Sequence, residues 1–400
     1  MPIPRARSGA VPAALLASLL SQAVSAAPAA VGDAVLIPVA AADLPGFPGA
    51  RADAALAAFR RVCAAPPPRP CPQPRRRAGG IWRPLAEACA AAADPVPDAA
   101  AFFRDRFAAF RVARPGADRP GFLTGYFEPE LTGSLEPGPD FPTPVLARPD
   151  DLISLGPGET RPGLDPGLRA ARATADGFAP YPDRAAIEDG ALGARAKPIL
   201  WLRDPVDLLV LQVQGSGRVR LPDGRAVRVL YDGRNGRPYT AVAKLIVQEG
   251  HLPLEGLTLA RWTGWLRAHP ETAKRLIRAN ASYIFFRLAP VADPALGPPG
   301  AANAPLSPGR SLAVDSTLWR YGLPFWLAGP LPAEAGAGAP DAAGRLVVAA
   351  DTGSAIVGPA RGDLFVGTGP EAGAVAGNLR DAVGFVVLLP RRGGASGAAP

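Results

Sequence analysis

Two histidines, three cysteines and one methionine are all that 400 residues carry of the softer metal ligands and common nucleophile partners. His251 and His269 lie far from Cys63, Cys71 and Cys89 and are not at ligand spacing from one another, so a zinc-type site is a poor reading. The same scarcity argues against histidine-based and cysteine-nucleophile catalysis. Lysine is also rare, occurring at Lys197, Lys244 and Lys274, so nearly all the positive charge is arginine. Beyond the N-terminal stretch no apolar run reaches the ~18 residues needed to cross a bilayer, which excludes a polytopic membrane protein. Whatever chemistry the chain performs must be run mainly by carboxylates.

Proline (49) and glycine (45) are abundant, and turns are correspondingly frequent. A hydrophobic fraction of 48% with 20% charged residues is an ordinary globular balance, which excludes wholesale disorder. The length corresponds to about two domains. A net charge of +8 favours anionic partners in general, yet the arginines are scattered. The one dense run, Arg75-Arg76-Arg77, has no aromatic interleaved with it and offers no platform for stacking bases, so nucleic acid is not an expected partner.

The N-terminus predicts export. Arg5 and Arg7 precede an apolar stretch from Gly9 to Leu20, and Val24-Ser25-Ala26 supplies small residues for cleavage, so residues 1–26 read as a signal peptide. No cysteine follows the apolar stretch, so a lipoprotein anchor is not expected. In an oxidising compartment one disulfide among Cys63, Cys71 and Cys89 is expected, with the pairing open.

Helical spacing runs from Ala52 to Cys63, from Trp82 to Ala93 and from Asp98 to Val112, where Phe103, Phe107 and Phe110 fall on one helical face. From Gly121 short runs separated by turn residues predict β structure. Val219 and Leu221, then Val227, Val229 and Tyr231, alternate on either side of Pro222-Asp223-Gly224 and predict a hairpin. Helical periodicity returns over Tyr239–Glu249, Leu257–Ala268 and Pro270–Ala279, before a strand at Ser282–Leu288. Ser311–Pro390 reads as strands again, interrupted by a Gly/Ala/Pro-rich insertion from Gly329 to Gly344, and residues 391–400 read as a frayed tail.

Two regions carry more special residues than a generic fold requires. Thr124-Gly-Tyr-Phe-Glu-Pro129 is followed later by Gln214-Gly215-Ser216-Gly217, a turn that permits close backbone approach beside a side chain able to donate and accept. A phosphate loop is disfavoured there, because a strand pattern follows the glycines where a helix start would be needed. Glu128 is a weaker candidate, since a surface glutamate is ordinarily only solvated. The second region holds three aspartates, Asp315, Asp351 and Asp363, each within or beside an apolar run. A carboxyl in such a setting is expensive unless paired, hydrogen-bonded or protonated, and a protonated one is what general-acid cleavage of a glycosidic bond requires. Each could equally cap a turn.

These stretches, with Ile187-Glu-Asp-Gly-Ala-Leu192, Tyr231-Asp-Gly-Arg-Asn-Gly236, Asn280-Ala-Ser-Tyr-Ile-Phe-Phe286, Ala313-Val-Asp-Ser316, Asp351-Thr-Gly-Ser-Ala-Ile356, Asp363-Leu-Phe365 and Gly369-Pro-Glu-Ala-Gly373, form an ordered set. In that order it resembles the membrane-bound lytic murein transglycosylase A family. The resemblance implies a mainly β fold with flanking helices: a double-psi β-barrel domain (27–125 plus 283–390) carrying an inserted smaller β-barrel domain (126–282), with a saccharide groove between them. It implies cleavage of the bond between N-acetylmuramic acid and N-acetylglucosamine, with peptidoglycan glycan strands as the partner and no metal or cofactor. By the same resemblance Asp363 is the acid/base and Asp351 the neighbour that orients the site. Tyr126, Gln214, Gly215, Ser216, Gly217 and Asp315 line the saccharide groove. Ser354 stands where the family commonly has a second glycine. Trp262 and Trp265 are either sugar platforms or core. Periplasmic residence and a monomer are expected, and attachment to the outer membrane stays open. A two-carboxylate hydrolase using Asp351 and Asp363, and a non-catalytic wall-binding protein, are the alternatives.

Overall fold

Continuous and alternating apolar runs give this chain two kinds of strand, those buried on both faces and those with one wet side. The structure, a computed structural model, describes residues 29–49, 51–66, 82–113, 120–156, 158–334 and 340–391. The expected signal peptide, Cys71 and residues 392–400 lie outside the described residues. In chain order the first part gives β1 (Ala29–Val31), β2 (Ala34–Val39), α1 (Ala52–Ala64), α2 (Trp82–Ala93), α3 (Ala99–Arg106), β3 (Phe107–Ala113) and β4 (Gly121–Glu128). The middle gives β5 (Glu130–Ser134), β6 (Thr143–Leu146), β7 (Ile153–Ser154), β8 (Ala170–Thr174), β9 (Gly177–Pro180), α4 (Arg184–Glu188), β10 (Pro198–Leu202), α5 (Pro205–Gln214), β11 (Ser216–Arg220), β12 (Ala226–Arg234), α6 (Val242–Gln248), α7 (Leu259–Ala268), α8 (Pro270–Arg278) and β13 (Ile284–Pro290). The last part gives β14 (Ser311–Val314), β15 (Pro324–Ala328), β16 (Gly344–Asp351), β17 (Arg361–Thr368), α9 (Pro370–Asn378) and β18 (Arg380–Pro390).

Six strands close into a barrel in the order β18-β15-β16-β14-β17-β4. The long strand β18 makes the closure, pairing Arg380–Val383 with β4 and Gly384–Val387 with β15. Two neighbours run parallel, β14 with β16 and β17 with β4, and the other barrel pairs are antiparallel. β1, β2 and β3 extend the sheet from the outer side of β18. β16 reads Gly-Arg-Leu-Val-Val-Ala-Ala-Asp and is buried along its whole length except at Asp351. Its interior packs with Leu312, Phe325, Trp326 and Val387, and α1 to α3 cover the same core.

Phe59 of α1 meets Phe102, Phe103 and Phe107 at ring centroid distances of 5.9, 6.1 and 5.8 Å. Burial of rings of this size supplies ~2–3 kcal/mol each. Phe107 and Phe110 correct the expected helix over 98–112. That helix begins where Asp98 caps the Ala101 amide and ends at Arg106, and Phe107 and Phe110 belong to β3. The aromatic spacing also suits a strand, and pairing with β18 decides it.

The second sheet is ordered β13-β12-β11-β5-β10-β6, and a bridge between Ala147 and Phe286 joins its two edges. The predicted hairpin is present, with Val219 opposite Val227 and Gly224 in the left-handed conformation at φ 83°. β13 pairs with β12 from Ile284 to Pro290, so this sheet runs past the expected boundary at 282. α5 was not anticipated within the β region. Its apolar run is capped by Asp204, which accepts from the Asp207 amide, and it stops at Gly215 with φ 80°. The expected turn at Gln214–Gly217 is therefore a helix C-cap leading into β11. α9 was also unforeseen, inside a segment expected to be strands only. Of the three cysteines, Cys63 and Cys89 pair, tying α1 to α2.

Candidate active site

One row of residues crosses five strands of the barrel and carries the candidate chemistry. Ala313 of β14 is the register partner of Asp351 on β16 and of Asp363 on β17. Asp363 is in turn opposite Thr124 of β4, and Thr124 is opposite Arg380 of β18. The small side chain of Ala313 thus stands between two aspartates brought from different strands. Asp351 and Asp363 each keep a partial opening to solvent.

The two carboxyls differ in their partners. Asp351 Oδ1 accepts from the backbone amides of Ala301 and Thr352, both at 2.9 Å, and its Oδ2 accepts from the Tyr126 hydroxyl at 2.8 Å. Asp363 Oδ1 accepts from the Thr124 hydroxyl at 2.6 Å, its one side-chain or backbone donor among the described residues. Burial pushes both carboxyls above the usual carboxylate range. The three donors at Asp351 oppose the shift there. At Asp363 the Thr124 hydroxyl and the nearby Arg361 charge oppose it, and the Asp351 charge adds to it. Burial and the adjoining aspartates raise the Tyr126 phenol well above its ordinary value, so it remains a donor.

Each donor has a local cause. Tyr126 lies two residues beyond Thr124 on β4 and packs against Phe365 at 5.3 Å between ring centroids. Gly125 separates them because α9 crosses there: a Cβ at that position would lie 2.9 Å from the Ala376 Cα. The Ala301 amide comes from a loop folded on itself, with Gly297 donating to the Leu306 carbonyl and Gly300 to the Ala304 carbonyl. Arg361, two residues before Asp363, donates to Thr124 Oγ1 at 2.8 Å and lies over the Phe122 ring at 5.2 Å.

The remaining sequence candidates fall into three groups. Gln214 reaches the barrel, its Oε1 accepting from the Phe127 amide at 3.1 Å, and Ser216 and Gly217 follow at the start of β11. Asp315 hydrogen-bonds within its own surroundings, accepting from the Thr317 amide and hydroxyl and from the Gly358 amide at 2.8 Å. It ties the loop after Asp351 to the end of β14, and none of these hydrogen bonds reaches Asp351 or Asp363. Trp265 cannot serve as a sugar platform, since His251 and His269 stack on it at 4.7 and 4.4 Å; Trp262 packs on the apolar cluster of α5 to α8.

Glu128 is the largest departure from expectation. It is wholly buried, not solvated. Arg228 donates to its Oε1 at 2.6 Å, while Arg218 at 3.2 Å and Thr368 at 2.9 Å donate to its Oε2. β4 of the barrel, β11 and β12 of the second sheet and the end of β17 all converge on this carboxylate. Its position after Thr-Gly-Tyr-Phe gave no sign of that, because the two arginines are some hundred residues away in sequence.

Other concavities lie apart from the aspartates. A cavity of about 800 Å³ in the second unit is lined by Leu146, Ile187, Leu266, Ile277 and Tyr283, and neither aspartate borders it. Among the described residues no group of three or more His, Cys, Asp or Glu is placed to hold a metal ion, and no helix is long and apolar enough to cross a membrane.

Residues 122–287 match the MltA specific insert domain and residues 310–389 match the 3D domain. A solved structure of a membrane-bound lytic murein transglycosylase from Agrobacterium tumefaciens is 34% identical, with 89% of this chain and 98% of that one covered at a TM-score of 0.77. The chain belongs to the membrane-bound lytic murein transglycosylase A family. Its fold is that of the family, mainly β with flanking helices. The family member of that name from Vibrio cholerae serotype O1 is 28% identical over 271 residues, 66% of this chain and 65% of the relative. The Escherichia coli K12 member is 32% identical over 201 residues, 49% of this chain and 53% of the relative. The chain thus aligns with between about half and two-thirds of the length of these two relatives. The match to the insert domain runs from β4 into β13 and so takes in the strands of the second sheet, and the 3D match carries all three aspartates.

Proposed function

We propose that the protein is a lytic transglycosylase that cleaves the β-1,4 bond between N-acetylmuramic acid and N-acetylglucosamine in peptidoglycan, with Asp363 as its single acid/base. The observation that carries this reading is the inequality of the two carboxyls. Asp351, held by three donors, is suited to remain a carboxylate. Asp363, buried beside it with one donor, is the place where a shared proton resides, and the two titrate as a coupled pair.

Protonated Asp363 gives its proton to the glycosidic oxygen as the bond from that oxygen to the anomeric carbon breaks, and an oxocarbenium-like centre develops. The Asp363 carboxylate then takes the proton of the same sugar's 6-hydroxyl, whose oxygen bonds to the anomeric carbon and closes a 1,6-anhydro ring. No water enters and the acid returns to its starting form. Because the nucleophile belongs to the substrate, holding the ring in a reactive shape supplies much of the rate. Proton transfer itself typically adds ~10²–10⁴-fold.

In this reading Asp351 orients the site through Tyr126. The Gln214 amide, with Ser216 and Gly217, binds the saccharide where the second sheet abuts the barrel. Asp315 acts one step removed, by fixing the loop that follows Asp351. The barrel and the second sheet are two units with the glycan groove between them. The N-terminal pattern supports export to the periplasm. A hydrolase using Asp351 as the base is less well supported, because both oxygens of Asp351 are already engaged.

The test compares wild type with Asp363→Asn on purified sacculi, reading soluble products by mass spectrometry. Products lighter than the hydrolysed muropeptides by one water, lost in the variant, are the expected result. Products carrying that water would establish hydrolysis instead, and unimpaired turnover by Asp363→Asn would remove the assigned acid. Retained binding to sacculi without soluble products from wild type would favour a non-catalytic binder.

A further inference from the structure

A hydroxyl group has one proton to give, and what it accepts decides where that proton goes. Thr124 Oγ1 accepts from Arg361 Nη2 at 2.8 Å and donates to Asp363 Oδ1 at 2.6 Å. The guanidinium is itself held, with Nη1 donating to the Gly362 carbonyl and the plane lying over Phe122 at 5.2 Å. The three side chains occupy adjacent strands, Arg361 and Asp363 on β17 and Thr124 directly opposite Asp363 on β4.

We propose that Arg361 is a positioning residue for the acid, acting through Thr124: it directs the Thr124 proton onto Asp363 Oδ1, leaves Oδ2 as the oxygen that transfers the proton, and steadies the carboxylate formed by that transfer. The inference rests on the reading of Asp363 as the acid/base. The charges around Asp363 make the need plain. Asp351 on β16 lies beyond Ala313, the Tyr126 hydroxyl on β4 faces the same pair, and Arg380 on β18 sits one strand past Thr124. Burial and Asp351 together favour the protonated acid, and an acid that holds its proton too firmly cannot give it up. Arg361 opposes them, and its charge pulls Asp363 down. It remains protonated throughout the cycle, so only the Asp363 O–H bond is broken and remade.

Rates on purified sacculi are measured across pH for wild type, Arg361→Gln, Arg361→Lys and Thr124→Val, with Asp363→Asn as the control. For Arg361→Gln the expected result is a kcat lower by about tenfold or more with a nearly unchanged KM. Its alkaline limb of kcat/KM should move up by about half a pH unit or more, because the lost cation no longer stabilises the carboxylate. Arg361→Lys, which keeps the charge, should bring the limb back towards wild type. Adding Thr124→Val to Arg361→Gln should cost less than the two single losses combined, as expected of residues acting in one chain. An unmoved limb in Arg361→Gln, or a lysine variant as impaired as glutamine with the limb unmoved, overturns the role. If Arg361→Gln does not fold, Thr124→Val carries the same test, and its limb must also rise. Turnover by Asp363→Asn equal to wild type would instead overturn the acid assignment itself, so the two failures are distinct.

Discussion

Tyr126 and Asp351 lie on strands that are not neighbours in the barrel, and a 2.8 Å hydrogen bond from phenol to carboxylate spans the gap between them. The bond completes the set of donors that distinguishes Asp351 from Asp363. Tyr126→Phe deletes one donor and leaves Asp351 Oδ2 unsatisfied in a dense site, a loss of about 1–3 kcal/mol. The variant should unfold at lower urea and, on the proposed mechanism, lose activity, because without the Tyr126 donor Asp351 holds a proton more firmly. Unchanged urea midpoint and kcat would show that the bond has no such part.

Asp363 should weaken the fold that it serves. Its folded pKa lies above its unfolded value, so its contribution to stability is complete below the unfolded pKa of about 3.9 and is lost as pH rises through the folded value. At neutral pH the ionised carboxylate is a desolvated charge. Asp363→Asn, neutral at every pH, should therefore match wild type near pH 4 and be the more stable protein at pH 8, while being inactive. Urea titrations at the two pH values check this; a variant less stable at pH 8 than at pH 4, relative to wild type, would contradict the sign.

Local chemistry made much of this legible in the sequence. The hairpin at Pro222-Asp223-Gly224 and the helix opening at Pro270 carry their own signals, and both formed where those signals stand. Three aspartates beside apolar runs marked the candidate site, though not the distinction that Asp315 satisfies a turn while Asp351 and Asp363 flank one alanine. That distinction depends on barrel register, a non-local property. The helix predicted through Phe107 and Phe110 failed for a related reason. Aromatic residues suit either period, and β18, more than 270 residues away, supplies the pairing that settles it. α5 was missed because an apolar run of that length reads as a buried strand unless its Asp-Pro start and Gly stop are weighed together.

Glu128, expected from sequence to be merely solvated, should be important to folding. It faces Arg218 and Arg228, which are 9% and 5% exposed, at the junction of the barrel with the second sheet. Glu128→Gln keeps the shape and removes the charge, leaving two buried guanidinium groups without compensation, a loss of about 3–5 kcal/mol. Chemical denaturation should show a much lower midpoint, or a separate early transition if the second sheet then unfolds on its own. A midpoint within experimental error of wild type would mean that water reaches the arginines.

A side chain with no chemistry of its own stands between the two candidate carboxyls. Ala313 is 4% exposed and is the register partner of both aspartates, so a larger side chain there would crowd them. Ala313→Leu adds volume that the barrel cannot absorb, at about 1–3 kcal/mol, and the added carbons must press on Asp351, Asp363 or both. Ala313→Gly adds nothing to the row and loosens it. The leucine variant is expected to bind sacculi while releasing few anhydro products, and the glycine variant to retain most of its turnover at some loss of thermal stability. If leucine left kcat intact, the two carboxyls would be shown to tolerate displacement, and the row across the strands would be a matter of packing alone.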